Sequence, residues 1–362
     1  MAVHCGYLCR EQCNVLGMPK KKTAKSSSSR PTILELAKLT SLSQGAVSRA
    51  INGQGGISDA TRERILKAAR EIGYQPNPSA RNFKRGYTKR IGMILPNLAN
   101  ANYSELYEHL DLSAAAEGYS SILALAHQSA ERERKLLLKF SAGEADGLVV
   151  NPVQGLVNLD IYQKLKAWKY PLLLLYVGHE DEFDSLGVDY SFSLRKAMEY
   201  LRDVGHTQVA YVGPSAANAT PVGKHDQLIT ALQKVGMQYD AELSVFEVDA
   251  SEAGEASFAQ WRAMGKQPTA VVAYNDQTAI SLSTECKRQG LSVPKDLSIL
   301  GSDDITSAVA LELSTLRVDR EVMAKTVFQM LQNRIKNFES PIQLKKLRSE
   351  FLLRSSMGPA RK

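Results

Sequence analysis

An alternation of short apolar runs with helical stretches, beginning at Ile91, restricts the fold of this chain more than any other feature. Runs such as IGMILP, GLVVNP, VAYVGP and AVVAYN are bounded by turn residues and separated by segments of helical periodicity. This pattern is typical of parallel sheets in α/β domains. Two similar halves, about 90–188 and about 189–316, predict a two-lobed core. Ligands of open parallel sheets bind beyond the carboxyl ends of the strands, so we expect a pocket where the halves face each other.

A different pattern occupies residues 32–52, TILELAKLTSLSQGAVSRAIN. Thr32 and Glu35 have the spacing of a capping box at the start of one helix, and Ser43 is suited to cap a second. We predict two short helices joined by a tight turn, with a third helix over 58–73. The side chains left facing outward are Gln44, Gly45, Ser48 and Arg49. They suit base edges in a DNA major groove, although the pattern also fits an ordinary pair of packed helices.

The charge is divided unequally along the chain. Residues 1–90 hold 17 Lys/Arg and 5 Asp/Glu, a net charge of +12, whereas the remainder holds 28 and 33, a net charge of −5. A basic module on a mildly acidic body suits the binding of a polyanion such as DNA. A membrane surface could attract the same charge, but no long basic amphipathic helix or lipidation signal accompanies it.

Residues 1–31 are predicted to be a disordered basic arm. Polar residues interrupt the opening MAVHCGYLCREQCNVLG, which makes it a poor secretory signal and favours a cytoplasmic protein. If translation starts at Met18, the arm is MPKKKTAKSSSSR. The spacing of Cys5, Cys9 and Cys13 matches no usual zinc motif, so we expect neither a metal nor a cofactor.

Residues 76–89 are predicted to form a basic linker that two prolines keep from regular structure. Phe83 is an apolar residue in this linker without a local partner. It is either a stray aromatic in a solvated linker or a wedge that enters the minor groove when the linker folds on DNA.

Several separated segments, in the same order, resemble the lactose-repressor (LacI/GalR) family of bacterial transcriptional regulators. These segments are TILELAKLTSLSQGAVSRAIN, ISDATRERILKAAREIGYQPNPSAR, IGMILPNLANANYSEL, VGHTQVAYVGP, NDQTAISLSTECKRQGLSVPKDLSILGSDD and LSTLRVDREVMAK. The resemblance covers about residues 30–356. It implies a helix-turn-helix headpiece, a hinge helix and a core like that of periplasmic sugar-binding proteins, with operator affinity controlled by a small effector.

The expected fold is therefore a small all-α headpiece, 32–75, a hinge linker, 76–89, and an α/β core, 90–358. The core should consist of two doubly wound parallel-sheet subdomains. The first is expected to cover about 90–188 and 318–340, and the second about 189–317 and 341–358. Family members are dimers or tetramers, and the absence of heptads near the carboxyl terminus favours a homodimer.

The resemblance assigns DNA contacts to residues of the headpiece and the linker. These are Thr32, Ser43, Gln44, Gly45, Ser48, Arg49, Asn52, Asn77, Ser79, Ala80, Phe83 and Lys84. Gly45 offers no side chain to a base edge, so Gln44 and Arg49 should carry more of the sequence readout. Phe83 stands where the family usually has leucine, which leaves the hinge geometry open.

The resemblance also assigns effector contacts. These are Asn102, Tyr103, Tyr176, Asp189, Tyr190, Asn218, Thr220, Lys224, Asn275, Asp276 and Asp303. Tyr176 replaces a carboxylate of some members and Ala250 replaces an aromatic residue of several, which argues against a familiar galactoside or purine. Asn275 and Asp276 could instead cap a helix, and Lys224 could lie on a solvated face.

The predicted function is a sequence-specific regulator, a repressor of sugar uptake or catabolism genes, switched by a sugar-like effector that acts as inducer or co-repressor. A periplasmic-type solute-binding protein without a DNA role is the alternative, but it would need an export signal. We find no phosphate loop, no G-x-S-x-G elbow, no paired metal-ligand motif and no dinucleotide fingerprint, so no enzymatic activity is expected.

Overall fold

The computed structural model describes residues 30–75, 87–153, 156–176, 182–214, 223–246 and 249–361. These residues belong to two compact units, a headpiece that includes 30–75 and a core that begins before residue 87. No helix in the described ranges is long and apolar enough to cross a membrane.

The headpiece contains the three helices α1 (Ile33–Thr40), α2 (Gln44–Ile51) and α3 (Asp59–Glu71). The predicted capping box is confirmed, since the Glu35 amide donates to Thr32 Oγ1 at 3.3 Å and the Thr32 amide donates to Glu35 Oε2 at 2.7 Å. Ser43 caps α2 by accepting from the Ala46 amide at 3.2 Å. The prediction of two short helices followed by a third is therefore confirmed.

The tight turn of the headpiece depends on Ser41, whose φ of +56° places it in the left-handed region. The backbone can therefore reverse within three residues before Ser43 begins the next helix. Leu36, Val47 and Ile65, one from each helix, are completely buried and belong to the same apolar cluster. A core this small gives only marginal stability, because a short chain buries little of its surface.

The strands of the core follow in chain order. They are β1 (Arg90–Leu95), β2 (Ser120–Leu125), β3 (Gly147–Val150), β4 (Leu172–Leu175), β5 (Asp184–Asp189), β6 (Gln208–Gly213), β7 (Gln238–Tyr239), β8 (Val245–Phe246), β9 (Ala270–Ala273), β10 (Ser298–Ser302), β11 (Thr315–Arg317), β12 (Leu344–Arg348) and β13 (Glu350–Leu352).

The helices of the core continue the numbering of the headpiece. They are α4 (Ala101–Ala116), α5 (Ala130–Lys139), α6 (Leu159–Ala167), α7 (Ser191–Asp203), α8 (Lys224–Val235), α9 (Ala253–Met264), α10 (Asp276–Arg288), α11 (Thr306–Ala310) and α12 (Arg320–Lys336). A single π-helical turn, Phe140–Glu144, follows α5.

The strands form two sheets, which confirms the predicted two-lobed α/β core. The first lobe has the strand order β12-β5-β4-β3-β1-β2, and every adjacent pair is parallel. The second lobe has the order β13-β11-β10-β9-β6-β7, with β8 also paired to β6. Only its edge strand β13 is antiparallel to its neighbour among the described pairs. Apolar clusters cover both faces of each sheet, as parallel sheets require.

The position of β12 corrects the expected boundary between the lobes. We assigned 341–358 to the second lobe, but β12 pairs in parallel with β5, in the register Leu344 to Ser185, and so completes the first sheet. The chain returns to the second lobe only after Ser349, where β13 begins. The sequence pattern could not show this, because the pairing joins segments that are about 160 residues apart, far beyond local periodicity.

Candidate functional site

The outward surface of α2 carries the side chains predicted to read DNA. Gln44, Gly45 and Arg49 are exposed, and Gly45 and Arg49, four residues apart, lie on the same face of the helix. Ser48 and Asn52 are half-buried and bonded to each other, since Asn52 Nδ2 donates to the Ser48 carbonyl at 2.8 Å. Gln44 and Arg49 are thus the long polar side chains that this helix presents to a partner.

Glycine at position 45 is not required by packing. A Cβ built there would approach nothing closer than Ser43 Oγ, at 4.0 Å. Its absence therefore leaves the surface beside Arg49 open at the start of the helix. Thr32 and Ser43 are also exposed, but each is occupied in capping its own helix.

The predicted DNA contacts of the linker lie outside the described residues. They are Asn77, Ser79, Ala80, Phe83 and Lys84.

Asp146 holds the first described residues of the core. Its carboxylate accepts from the Thr88 amide at 2.6 Å, from the Thr88 hydroxyl at 2.7 Å and from the Lys89 amide at 2.8 Å. Lys89 has a φ of +55°, and its ammonium lies 4.0 Å from the centre of the Tyr119 ring. The segment that follows the linker is therefore fixed to the amino-terminal edge of the first sheet. Our sequence reasoning missed this contact, although an aspartate directly before a buried strand was a visible signal.

A second cluster of polar and aromatic side chains lies between the two lobes of the core. Its members interact electrostatically or by hydrogen bonds, and they come from the carboxyl ends of strands or the helices that follow. From the first lobe they are Asn100, Asn102, Tyr103, Asn151 and Tyr176, and from the second lobe Tyr190, Lys224, Tyr274, Ser302 and Asp303. We call this cluster the cleft.

Lys224 faces into the cleft, so the alternative of a solvated side chain is wrong. Its ammonium donates to the Tyr274 carbonyl at 2.5 Å and to Ser302 Oγ at 2.8 Å. It also lies 4.6 Å from the centre of the Tyr190 ring and 4.8 Å from that of Tyr274. Burial lowers the pKa of Lys224, whereas Asp303 acts in the opposite direction.

Asp303 is the carboxylate of the second lobe that faces this lysine. Its φ of +112° and the φ of +56° at Asp304 are left-handed conformations that cost energy in residues other than glycine. Burial raises the pKa of the Asp303 carboxyl to about 7, although Lys224 opposes the shift. Its closest described hydrogen-bond donor is Asn100 Nδ2, at 3.5 Å, so the carboxylate keeps most of its accepting capacity.

Aromatic rings from both lobes surround these charges. Burial raises the pKa of Tyr103, Tyr176 and Tyr190, which keeps their hydroxyls protonated as hydrogen-bond donors. Tyr176 has a φ of +58°, and its hydroxyl contacts the Met323 sulfur at 3.6 Å. The rings offer flat apolar faces, and the hydroxyls supply polar edges, in a single site.

Asn275 and Asp276 both form hydrogen bonds within the protein. Asn275 Oδ1 accepts from the Thr278 amide at 2.9 Å, so the alternative of a helix cap is confirmed for Asn275. Asp276 is completely buried, and its oxygens accept from the Ile305 amide at 3.0 Å and the Thr315 hydroxyl at 2.6 Å. Through these two hydrogen bonds its carboxylate braces the loop that presents Asp303.

The remaining predicted effector contacts are placed as follows. Asp189 accepts from the Ser191 amide at 2.9 Å where the chain passes between the lobes, and so stabilises that crossing. Asn102 bonds to the Tyr176 hydroxyl and lies in the cleft with it. Asn218 and Thr220 lie outside the described residues.

Two charged residues of the cleft escaped our sequence reasoning. Arg320 donates to the backbone carbonyls of Asp303 and Asp304, the latter at 2.6 Å, and forms an ion pair with Glu105. Glu105 also accepts from the Thr306 amide at 3.2 Å, so it links α4 of the first lobe with α11 of the second. Arg320 lies in the first turn of α12, where a cation interacts unfavourably with the helix dipole. This unfavourable position was a signal in the sequence that we did not use.

The described residues contain no group of three His, Cys, Asp or Glu side chains that could hold a metal ion. Cys286 is buried as a free thiol in the apolar core of the second lobe. Cys5, Cys9 and Cys13 lie outside the described part of the chain.

Comparison with known proteins finds one family model that matches the headpiece and another that matches part of the core. Residues 32–77 match the family "Bacterial regulatory proteins, lacI family", and residues 198–357 match a periplasmic binding protein-like domain. The repressor CytR of Escherichia coli strain K12 is 28% identical over 316 residues, which are 85% of this chain and 92% of CytR. The repressor PurR of Erwinia tasmaniensis is 28% identical over 312 residues, which are 84% of this chain and 90% of PurR.

Solved structures share the fold at lower identity. The lac repressor dimer bound to operator and the anti-inducer ONPF has a TM-score of 0.80 at 21% identity, over 91% of this chain and all of that chain. The complex of the regulator CelR with cellobiose has a TM-score of 0.67 at 22% identity, over 90% of this chain and all of that chain. These comparisons show a LacI-family helix-turn-helix headpiece joined to a periplasmic-binding-like core, and the solved structures share this fold.

Proposed function

We propose that this protein is a cytoplasmic transcriptional repressor whose affinity for operator DNA is switched by a small polyhydroxylated effector. One observation carries the proposal: a helix with exposed Gln44 and Arg49 occurs in the same chain as a cleft where Lys224 and Asp303 meet several tyrosines. The repressor names of CytR and PurR support the regulatory half of the proposal.

The DNA half follows from the chemistry of α2. A glutamine pairs well with adenine and an arginine with guanine, and the basic amino-terminal part adds phosphate contacts. One headpiece reads only a few base pairs, so we infer a homodimer that reads two symmetric half-sites. The lac repressor structure described as a dimer bound to operator supports this arrangement.

The effector half follows from the chemistry of the cleft. Tyrosine faces stack on the apolar faces of sugar rings, and a carboxylate with few internal donors accepts from ligand hydroxyls. We propose a sugar, a sugar acid or a small oligosaccharide, and regulated genes for its uptake or catabolism. The cellobiose bound to CelR supports a ligand of this class.

The switch requires that the effector distinguish two arrangements of the lobes. A ligand that contacts both Tyr103 and Asp303 touches both lobes and therefore favours one arrangement over the other. Whether it acts as inducer or co-repressor follows from whether it lowers or raises operator affinity.

The test begins with selection of operator sequences from random double-stranded DNA by the full-length protein. Arg49→Ala should then weaken specific binding by about 1 to 3 kcal/mol if Arg49 reads a base. Lys234→Ala is the matched control, because it removes an equal charge from the exposed end of α8 in the core. A protein that binds sugars but selects no DNA would instead be a solute-binding protein.

A further inference from the structure

We infer that the effector is electrically neutral, so that the cleft accepts an uncharged polyhydroxylated compound and rejects its phosphorylated or carboxylated counterpart. The inference rests on the proposed function, since it narrows the class of ligand for the same cleft. It depends on which protein groups already bind each positively charged side chain of the cleft.

Few cationic side chains among the described residues lie near Asp303 in the cleft. In the described part of the chain, the cations that act on Asp303 are Lys224 and Arg320. Of the stretches outside the described residues, 154–155, 177–181, 215–222 and 247–248 contain no lysine or arginine. Among the described residues, an anionic ligand beside Asp303 would therefore have to pair with one of these two cations.

Arg320 is engaged by the protein itself. One terminal nitrogen donates to the Asp303 carbonyl, and the other donates to the Asp304 carbonyl at 2.6 Å and pairs with Glu105. Its side chain is only 13% exposed, so little of it faces solvent. Its charge is neutralised by Glu105, and its donors hold the left-handed backbone of Asp303 and Asp304 in place.

Lys224 is engaged as well. Two of its protons go to the Tyr274 carbonyl and Ser302 Oγ, and its charge interacts with Asp303 and Asp276. When all five groups are ionised, Lys224 and Arg320 contribute +2 and Asp303, Asp276 and Glu105 contribute −3, a formal charge of −1. In that state an incoming anion would meet an excess of negative charge.

The groups that remain available suit hydroxyls. Asp303 retains acceptor capacity, and the protonated tyrosine hydroxyls donate and accept. A neutral polyol satisfies these groups without bringing an unpaired charge into a buried site. A phosphate or carboxylate would lie near Asp303 without a free cation, which is how sites reject charged analogues.

The experiment uses matched neutral and anionic ligands on the full-length protein. Melting temperature and calorimetric affinity are measured at about pH 8, where the acidic groups of the ligands and Asp303 are ionised. The pairs are ribose with ribose 5-phosphate, glucose with glucose 6-phosphate and with gluconate, and adenosine with adenosine monophosphate. In each pair that binds, we expect the anion to bind at least about tenfold more weakly than the neutral member. An anion that binds as tightly as its neutral partner, or more tightly, overturns the inference.

A variant separates the charge argument from simple steric exclusion. Glu105→Gln keeps the shape and the Thr306 contact but releases the charge of Arg320, so it should reduce the discrimination against anions at least about fivefold. Glu108→Gln, an exposed change on the same helix, is the control and should leave the discrimination against anions unchanged. Equal discrimination in both variants overturns the assignment to Arg320.

The outcome also distinguishes this inference from the proposed function. If operator DNA is bound but every ligand of the panel fails, both the polyhydroxylated effector class and its neutrality are refuted. If ligands bind with the expected preference but no operator is selected, the neutral-ligand inference stands and the repressor proposal fails.

Discussion

Removal of the Asp184 carboxylate should strongly destabilise the first lobe. Asp184 and Arg334 form an ion pair in which Arg334 Nε and Nη2 donate to the carboxylate at 2.8 and 2.7 Å. The side chains are 1% and 9% exposed, respectively. Arg334 also donates to backbone carbonyls between 338 and 341, and Asp184 accepts from the Gln343 amide at 2.8 Å. The pair thus holds the turn that leads into β12.

The expected magnitude follows from this burial. Asp184→Ala leaves the guanidinium without its counterion, and breaking a buried pair on one side costs about 3 to 5 kcal/mol. For a unit of this size each kcal/mol shifts the melting temperature by about 2 to 4 °C, so we expect a decrease of about 6 to 20 °C. The double variant Asp184→Ala with Arg334→Met should be less destabilised than Asp184→Ala alone, because no buried charge remains unpaired.

The assay is thermal unfolding of the full-length protein followed by circular dichroism. Glu131→Ala is the control, since Glu131 and Lys135 form an exposed pair at 2.6 Å that water screens. It should leave the melting temperature unchanged. A melting temperature of Asp184→Ala within about 2 °C of the wild type would refute the reasoning.

Three further predictions concern the cleft, the linker contact and the second lobe. Effector affinity should fall as the pH decreases through about 7, because burial raises the pKa of Asp303 to about 7 and its ionised form is the stronger hydrogen-bond acceptor; calorimetry should show no such dependence for Asp303→Asn. Asp146→Asn should weaken operator binding but not effector binding, because it loosens only the backbone where the core begins; a parallel loss of effector affinity in titrations would contradict this. Gly254→Ala should destabilise the second lobe by about 1 to 3 kcal/mol in denaturant unfolding, because its Cβ would lie 2.3 Å from the Ser281 carbonyl oxygen; unchanged stability would show that α9 can move away.

The headpiece could be predicted closely because its signals are local. A capping side chain and the amide it serves are three residues apart, as Thr32, Ser43 and Ser58 show. The fully buried apolar strands were equally visible, since residues buried on both faces leave a continuous run such as Leu172–Leu175.

Two neighbouring strands of the first sheet, β5 and the edge strand β12, could not be predicted in this way. β5 contains Asp184, Ser185 and Gly187, which weaken any apolar pattern, and β12 is mostly exposed and basic. Both depend on partners distant in the sequence, such as the pairing of Asp184 with Arg334. Local propensity contains no information about such contacts.

The cleft could be predicted only in part, because it also depends on contacts between residues distant in the sequence. Resemblance placed Lys224, Tyr103 and Asp303 in one site, and the structure brings them together. It did not separate residues that face the cleft from those that support it, as the burial of Asp276 shows. That distinction depends on tertiary contacts, in this instance with Ile305 and Thr315.

Strand β3 connects the cleft with the backbone where the described core begins. It begins directly after Asp146, which holds the backbone next to the linker, and it ends directly before Asn151, whose side chain bonds to Tyr103 in the cleft. A strand of this length spans about 13 Å, and hydrogen bonds to β1 and β4 on either side prevent it from stretching or buckling. It therefore connects Asn151 at the cleft with Asp146, which holds Thr88 and Lys89, through one strand bonded on both sides. Substitutions at the cleft end of β3 can change ligand contacts without removing the Asp146 contacts at its other end.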